Sequence, residues 1–560
     1  MFRGVRIPLW LWVVAQVLAD KLRWSSRRGM RTMTRGAGLV VWGVLWFSMA
    51  GCSEDAGRPA QKSRAPSDAS RAETVDLQGV REPAVAGLFY PAAPDALDGL
   101  LDDLLREAKP VSLGTVRGLI SPHAGYEYSG PVAAWGYRQL AGRPIRTVVI
   151  LAPSHYARFQ GISLPKVAVY TTPLGRIPVS AKVQRLAQRA PFAFEPRCHV
   201  SRPGWFRQSA KRAPPFGGDT PHTWEHSLEV QLPFLQKVLG QFELVPAVFG
   251  ETNPSAAAKA LKTIVDEETL VVASSDLSHY YPYRVAMQLD ASCVRAICDL
   301  DVQWMQYEEA CGKLPILTLM HLARELGWKA HLLDYRNSGD TAGQRDQVVG
   351  YASIAFYEGP AEESEEAGPA GLTAEEQQYL LRLARESLVR AVRGQAPLEL
   401  DEQEVPARLR QRQACFVTLT KQGALRGCIG HIFGCMPLYR AVIENAANAG
   451  LEDPRFPPVR IDELDQIHIE ISVLSQPKRL DFRGPEELLA KLRPGVDGVV
   501  FVLEGRRATY LPQVWEQIPD KEQFLNQLAL KAKLPSSAWQ DPQAIFLTYQ
   551  VQAFEEETEP

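Results

Sequence analysis

What this chain lacks narrows it first. No two of its eight cysteines stand in a Cys-x-x-Cys spacing. Eight in 560 residues are also too few for a disulfide scaffold. Both facts argue against a zinc ribbon or a cystine-stapled domain. Charge of neither sign dominates: 62 Lys and Arg stand against 64 Asp and Glu, a net charge of −2. The global basic character that nucleic-acid binding needs is missing, and so is the acidic excess that keeps chains disordered. Internal repeats and long low-complexity runs are absent too. What remains is ordinary globular composition, 46% hydrophobic and 22% charged. The length exceeds a single core and predicts two or three domains.

The first 52 residues have their own style. Residues 7–19 are apolar but too short for a secure transmembrane span. Lys21, Arg23, Arg27, Arg28 and Arg31 follow, and a second apolar run, 39–50, leads into Gly51-Cys52. A basic region, a short apolar core and small residues before a cysteine resemble a bacterial lipoprotein signal. On that reading Cys52 is the lipidated first residue and the protein is attached to a membrane through its N-terminus. An uncleaved anchor is the alternative, and Met30 or Met33 is an alternative start. Without the signal, a cytoplasmic location follows. Residues 53–79 are polar, lack periodicity and read as a flexible linker.

From 80 to 358, apolar strands alternate with helices, the pattern of an α/β layered domain. One design recurs: a buried strand that delivers a histidine just past its end. Residues 116–120 lead into Ser121-Pro122-His123-Ala124-Gly125. Residues 148–151 lead into Ala152-Pro153-Ser154-His155. Residues 270–273 lead into Ser274-Ser275-Asp276-Leu277-Ser278-His279. Ligands of α/β sheets bind outside the carboxyl ends of the strands. Three imidazoles there would converge on a metal or acid–base site. Asp276 either orients an imidazole, coordinates a metal or caps a helix. Residues 200–220 read as a long surface loop. His222 and His226 lie four apart and would share one helix face. Glu225, directly before His226, would point away from that face, so the spacing is not that of a zinc protease. Cys311 sits in Ala-Cys-Gly ahead of Pro315 at a helix start, where the dipole favours a thiolate. A small buried hydrophobe is the other reading. Residues 337–341 are expected to form a turn.

With Glu225-His226-Ser227-Leu228-Glu229 and Asn337-Ser338-Gly339-Asp340-Thr341, these motifs resemble, in order, the Memo family, also called AmmeMemoRadiSam system protein B. The resemblance covers about residues 80–357. It implies a fold similar to class III extradiol dioxygenases, which open catechol rings with non-haem iron. It also implies His123, His155 and Cys311 as ligands of an iron or copper ion. His226, Asp276 and His279 would line the site and handle protons. Two histidines and a thiolate depart from the two-His-one-carboxylate set, so catechol cleavage itself does not carry over.

An acidic linker at 359–371 follows. Thr373, with Glu376 three residues on, caps an amphipathic helix. Residues 372–556 then read as a separate α+β domain centred on Arg426, Gly427, Cys428, Gly430 and His431. Its glycines allow a tight backbone, and Arg426 could hold an anion. Cys428 is either a nucleophile beside His431 or, the favoured reading, a core cysteine in a buried turn. With Asp453-Pro454-Arg455-Phe456 and Leu511-Pro512-Gln513-Val514-Trp515 the motif resembles the AMMECR family, AmmeMemoRadiSam system protein A. The two resemblances together imply a radical-SAM protein as partner and a small-molecule or peptide substrate. No nucleic-acid partner is expected. The leading expectation is a redox-active metal site. The alternatives are a non-catalytic binding module with a degenerate pocket, and metal handling at a membrane.

Overall fold

Runs of Val, Ile and Leu build the first domain around one sheet. In the computed structural model, which describes residues 74–359, 371–434 and 436–557, its elements follow one another as β1 (Thr115–Ser121), α1 (Tyr126–Arg138), β2 (Thr147–Pro153), β3 (Ile162–Leu164), β4 (Phe192–Phe194), α2 (His226–Glu229), β5 (Glu243–Phe249), β6 (Thr269–Ser274), β7 (His279–Tyr281), α3 (Tyr283–Cys298), α4 (Lys313–Leu326), β8 (Lys329–Asn337) and β9 (Val348–Glu358). The expected signal segment with Cys52, most of the 53–79 linker and most of the 359–371 linker lie outside the described residues. Among the described residues no helix is long and apolar enough to cross a membrane.

The nine-stranded sheet runs β7-β9-β1-β6-β2-β5-β3-β4, with β8 also paired to β9. Its centre, β1-β6-β2-β5, is parallel, and the flanking pairs β9/β1 and β5/β3 are antiparallel. β2 and β6 are buried at every position, as strands covered on both faces must be. Each buried Val, Leu or Ile there contributes about 1.5–3 kcal/mol. That offsets the roughly 1–2 kcal/mol of backbone entropy lost in fixing it. The parallel core aims the carboxyl ends of β1, β2 and β6 the same way, so His123 and His155 leave the sheet along one edge, whereas His279 stands five residues past β6 and opens β7, paired to β9. α4 packs Ile316, Leu319, Met320 and Ala323 inward and ends at Gly327, whose φ of 72° is left-handed.

Two local expectations need correction. The stretch from His222 does not open one helix. α2 has four residues and begins at His226, and Glu225 is its N-cap, accepting from Ser227 N. His222 lies ahead of it and contacts Ser163 O at 3.0 Å and the Tyr170 hydroxyl at 2.9 Å. The two histidines therefore share no helix face. The turn at 337–341 is instead one helical turn, Ser338–Thr341, closed by Asn337 and Asp340 in a reciprocal cap. Residues 201–225 hold neither helix nor strand, as a long loop should.

The second domain begins with α5 (Ala374–Val392), and its Thr373–Glu376 cap is present. One sheet joins β10 (Ala414–Lys421), β11 (Ala424–Gly430), β12 (Ile467–Leu474) and a strand at Val551–Glu555, with α6 (Leu438–Leu451) packed on β10 and on α5. A second sheet contains Lys478–Arg479, Gly498–Leu503, Arg506–Tyr510 and Ile545–Tyr549. The domain has its own sheets and cores. One buried cluster nevertheless runs across both domains and joins Trp304 and Trp328 of the first to Phe433, Val500 and Leu547 of the second.

Candidate metal centre

His123 stands two residues past β1. Its backbone N donates to Asp276 Oδ1 at 2.7 Å, and its Nδ1 lies 2.8 Å from Ser274 Oγ. Ser274 gives its own proton to Ser227 O at 2.7 Å and accepts from Gln231 Nε2 at 2.8 Å. Its remaining lone pair therefore takes the Nδ1 proton of His123. Gln231 is held in turn by the Tyr137 hydroxyl at 2.5 Å and by Pro122 O at 3.0 Å. The chain Tyr137–Gln231–Ser274–His123 fixes the tautomer and leaves the His123 Nε2 lone pair for a ligand.

His155, two residues past β2, is oriented by Glu225. Its Nδ1 lies 2.8 Å from Glu225 Oε1, and its backbone N donates to Oε2 at 2.7 Å. Burial acts to lower its pKa, and the Glu225 carboxylate with Cys311 outweighs burial and raises it well above the ordinary value. Burial acts to raise the Glu225 pKa, and His155 overrides it, so that carboxyl stays far below the usual carboxylate range. At His226 burial, joined by the neighbouring His155 charge, pushes the pKa well down. That imidazole is neutral at pH 7.

The ligand atoms of His123, His155 and His226 all lie within 4.8 Å of one another, and this group could hold a metal ion. Cys311 borders it. Its Sγ is 3.2 Å from His123 Nε2 and accepts from Asp276 N at 3.1 Å. Burial acts to raise the thiol pKa, but His123 and the bonds to His123 and His155 bring it down to about 6. The donor set fits a borderline or soft cation: three imidazoles, a sulfur inclined to thiolate, and a carboxylate orienting one ring from behind. Gly312 keeps Cys311 in place, since a Cβ there would lie 2.3 Å from Ser274 O and 2.6 Å from Ser275 Cβ. Gly312→Ala is expected to destabilise the protein by about 1–3 kcal/mol, read as a lowered chemical-denaturation midpoint; an unchanged midpoint would show that the loop yields freely.

The expected site residues fall as follows. His123, His155 and Cys311 meet. His226, expected as a lining residue, stands with the two other histidines at ring distances of 5.5 and 4.6 Å. Asp276 caps no helix; it holds the His123 backbone, and burial raises its pKa. His279 turns its Nδ1 to Leu277 O at 2.8 Å, which leaves Nε2 as the proton-accepting atom, and burial lowers its pKa. Glu225 departs from the expectation. A helical face would have turned it away, but as an N-cap it folds back onto His155. The 81–90 segment, marked by no motif, also reaches the site. Buried Arg81 donates to Glu229, to His222 O at 3.2 Å and to Glu225 O at 2.9 Å. Phe89 packs on His226 with centroids 4.9 Å apart. Glu229 belongs to a motif, but its pairing with Arg81 across 148 residues was not legible.

The His155–Glu225 pair sets a pH response. His155 is raised above 6.5, so its contribution to stability is complete below that value and lost as pH rises through the raised one. Glu225 is depressed below 4.5, so its contribution is complete above that value and lost as pH falls. The pair is fully effective between about 4.5 and 6.5. A cation binding to His155 must displace its proton. Apparent metal affinity should therefore rise about tenfold per pH unit below the raised pKa. Titration calorimetry in buffers of different ionisation heat measures the released proton; an affinity flat from about pH 6 to 8 would contradict this.

In the second domain the glycines answer to packing. A Cβ on Gly427 would lie 2.1 Å from Ala449 O, and one on Gly430 would lie 2.3 Å from the Phe416 ring. Arg426 is committed to Glu463 at 3.0 Å and to the carbonyls of Pro457 and Pro458. These partners replace the anion expected there. Cys428 N donates to Asp453 at 2.8 Å and its Sγ accepts from Thr418 at 3.3 Å. His431 is buried, which lowers its pKa to about 4, and among the described residues no hydrogen bond joins it to Cys428.

An α/β sheet whose strand ends gather three imidazoles and a thiol defines a protein with a metal-competent pocket, followed by a separate α+β domain. Comparison gives the family. A family model described as Memo-like protein matches residues 81–203 and 206–355, and one described as AMMECR1 matches residues 381–554. A MEMO1 family protein of Ignicoccus hospitalis is 36% identical over 302 residues, covering 50% of this chain and 98% of that protein. A MEMO1 family protein of Pyrobaculum arsenaticum is 36% identical over 301 residues, covering 50% and 99%. An uncharacterized protein of known structure from Pyrococcus horikoshii shares 34% identity, with 33% of this chain and 94% of that chain covered and a TM-score of 0.32. The chain belongs to the Memo family, and it fuses a Memo domain to an AMMECR1 domain.

Proposed function

We propose that the first domain binds an iron or copper ion through His123, His155 and His226, with Cys311 as the further donor, in a redox-active, dioxygenase-like pocket. The observation that carries this reading is the convergence of three imidazoles within 4.8 Å beside a thiol whose pKa falls to about 6. Such an ion supplies Lewis-acid or electron-transfer chemistry when bound. The chain's own residues do the rest. Glu225 and Ser274 hold the Nδ1 protons of His155 and His123, so both rings face the pocket through Nε2. His279 carries an open Nε2 on the wall and is the group to accept a substrate proton. Phe89 and Tyr156 flank His226 and narrow the approach of water. The test is elemental analysis and optical spectroscopy of the full chain purified without oxygen. Near-stoichiometric iron or copper with a sulfur charge-transfer band is expected. A chain that takes up neither ion from micromolar solution would end the reading.

A further inference from the structure

Acidic groups of the first domain meet arginines of the second. Asp301 pairs with Arg479, Asp334 with Arg412 at 3.1 Å, and Glu308 with Arg507 at 3.8 Å. All three carboxylates are buried, so each arginine helps neutralise a charge already withdrawn from water, Asp334 sharing its charge between Arg412 and Arg336 of its own domain at 3.0 Å. Removing such a partner costs far more than breaking an exposed pair. Between these pairs Trp304 packs on Phe433, with ring centroids 5.6 Å apart, inside the apolar cluster common to both domains.

The same interface grips α3 at both ends. Arg284, in its first turn, donates to Glu452 O at 3.2 Å and pairs with the Glu452 carboxylate at 3.4 Å. Arg295, near its last turn, donates to Gln476 Oε1 at 2.9 Å. The middle of α3 carries buried Asp290, which accepts from Ser278 N at 2.8 Å and from the Tyr335 hydroxyl at 2.8 Å. Ser278 is the residue before His279. Gly350 leaves this carboxylate its room, since a Cβ there would lie 1.9 Å from Asp290 Oδ2.

We infer that the AMMECR1 domain is a permanently docked partner of the Memo domain, recognised by an acidic-rimmed apolar face, and that its docking clamps α3 and so fixes the Ser278–His279 turn of the pocket wall. The linker keeps the partner at hand; the interface holds it. This stands on the contacts alone and survives or fails independently of which ion the pocket takes.

The experiment uses the full chain with a protease site inserted within residues 360–370. After cutting, the two halves are expected to co-elute on gel filtration at about 1 µM. Halves that elute apart overturn the docking. In Arg412→Glu with Arg479→Glu the cut halves should separate, and hydrogen exchange of amides 277–281 should quicken by about tenfold or more. Asp301→Arg with Arg479→Glu, which exchanges the two charges of that pair, should leave the cut halves co-eluting. Arg284→Gln, with the domains still docked, should by itself quicken exchange across 277–286; no change there overturns the clamp. The cut wild-type chain decides the docking even where a charge-reversed chain fails to fold.

Discussion

His226→Ala is expected to lower the affinity of the full chain for a transition-metal ion by more than about a hundredfold. Loss of a group that merely orients a ligand costs about 10–100-fold, and His226 is placed to be a ligand itself. The residue is 8% exposed and its pKa is driven down by burial, so it offers a lone pair without first shedding a proton. His155→Ala should cost as much or more, since it also leaves the Glu225 carboxylate buried without its cation. Cys311→Ser separates the two donor sets. If three imidazoles carry the binding, the serine variant keeps most of the affinity for a borderline ion and loses it for a soft one. If the thiolate is indispensable, both are lost. Competition against a chromophoric chelator measures each case. An affinity unchanged in His226→Ala would remove that residue from the ligand set and return it to the pocket wall.

Arg81→Met is expected to destabilise the protein by about 3–5 kcal/mol, because it strands a buried carboxylate. Glu229 is fully buried and accepts from four groups: Arg81, Ala84 N at 2.7 Å, Val85 N at 3.0 Å and the Tyr90 hydroxyl at 2.6 Å. Without the guanidinium three neutral donors remain, too few to replace a buried counter-charge. Arg81→Met with Glu229→Gln should recover much of the loss, since a neutral amide needs no counter-charge and its oxygen still accepts from the buried donors. Urea denaturation followed by circular dichroism gives both numbers. Arg81 also holds Glu225 O and His222 O, so the double variant should stay stable yet bind metal more weakly. A single variant as stable as the parent would show that the buried pair contributes nothing.

Much of the scaffold could be read from order and period alone. The apolar runs at 148–151 and 270–273 are strands because only full burial repays residues of that kind, and the stretch 116–120 joins them around a half-buried Arg117; each ends where a proline or a serine pair breaks the run. Thr373 and Glu376 announce their helix by chemistry that works within one turn. The passage from the first matched domain, ending at 355, to the second, beginning at 381, is accompanied by a change of composition. His123, His155 and Cys311 belong to this legible part, since a strand end or a helix start fixes their position locally.

What lies beyond one turn of chain was not legible. Whether Glu225 faces solvent or His155 depends on where α2 begins, and the start at His226 is decided by how that turn packs against the end of β2. His226 enters the group of imidazoles for the same reason. Arg426 looked open to an anion until Glu463 and two proline carbonyls, more than thirty residues away, were seen to claim it. By itself the sequence determined the two domains, the strand-end histidines and the cysteine beside them, because short-range sterics and hydrophobic period write those directly into the chain. Only the tertiary structure decided the His123–His155–His226 group, the Arg81–Glu229 brace and the docking of the second domain. Those are pairings between buried charges and rings distant in sequence, and their energies exist only once water has been removed from around them.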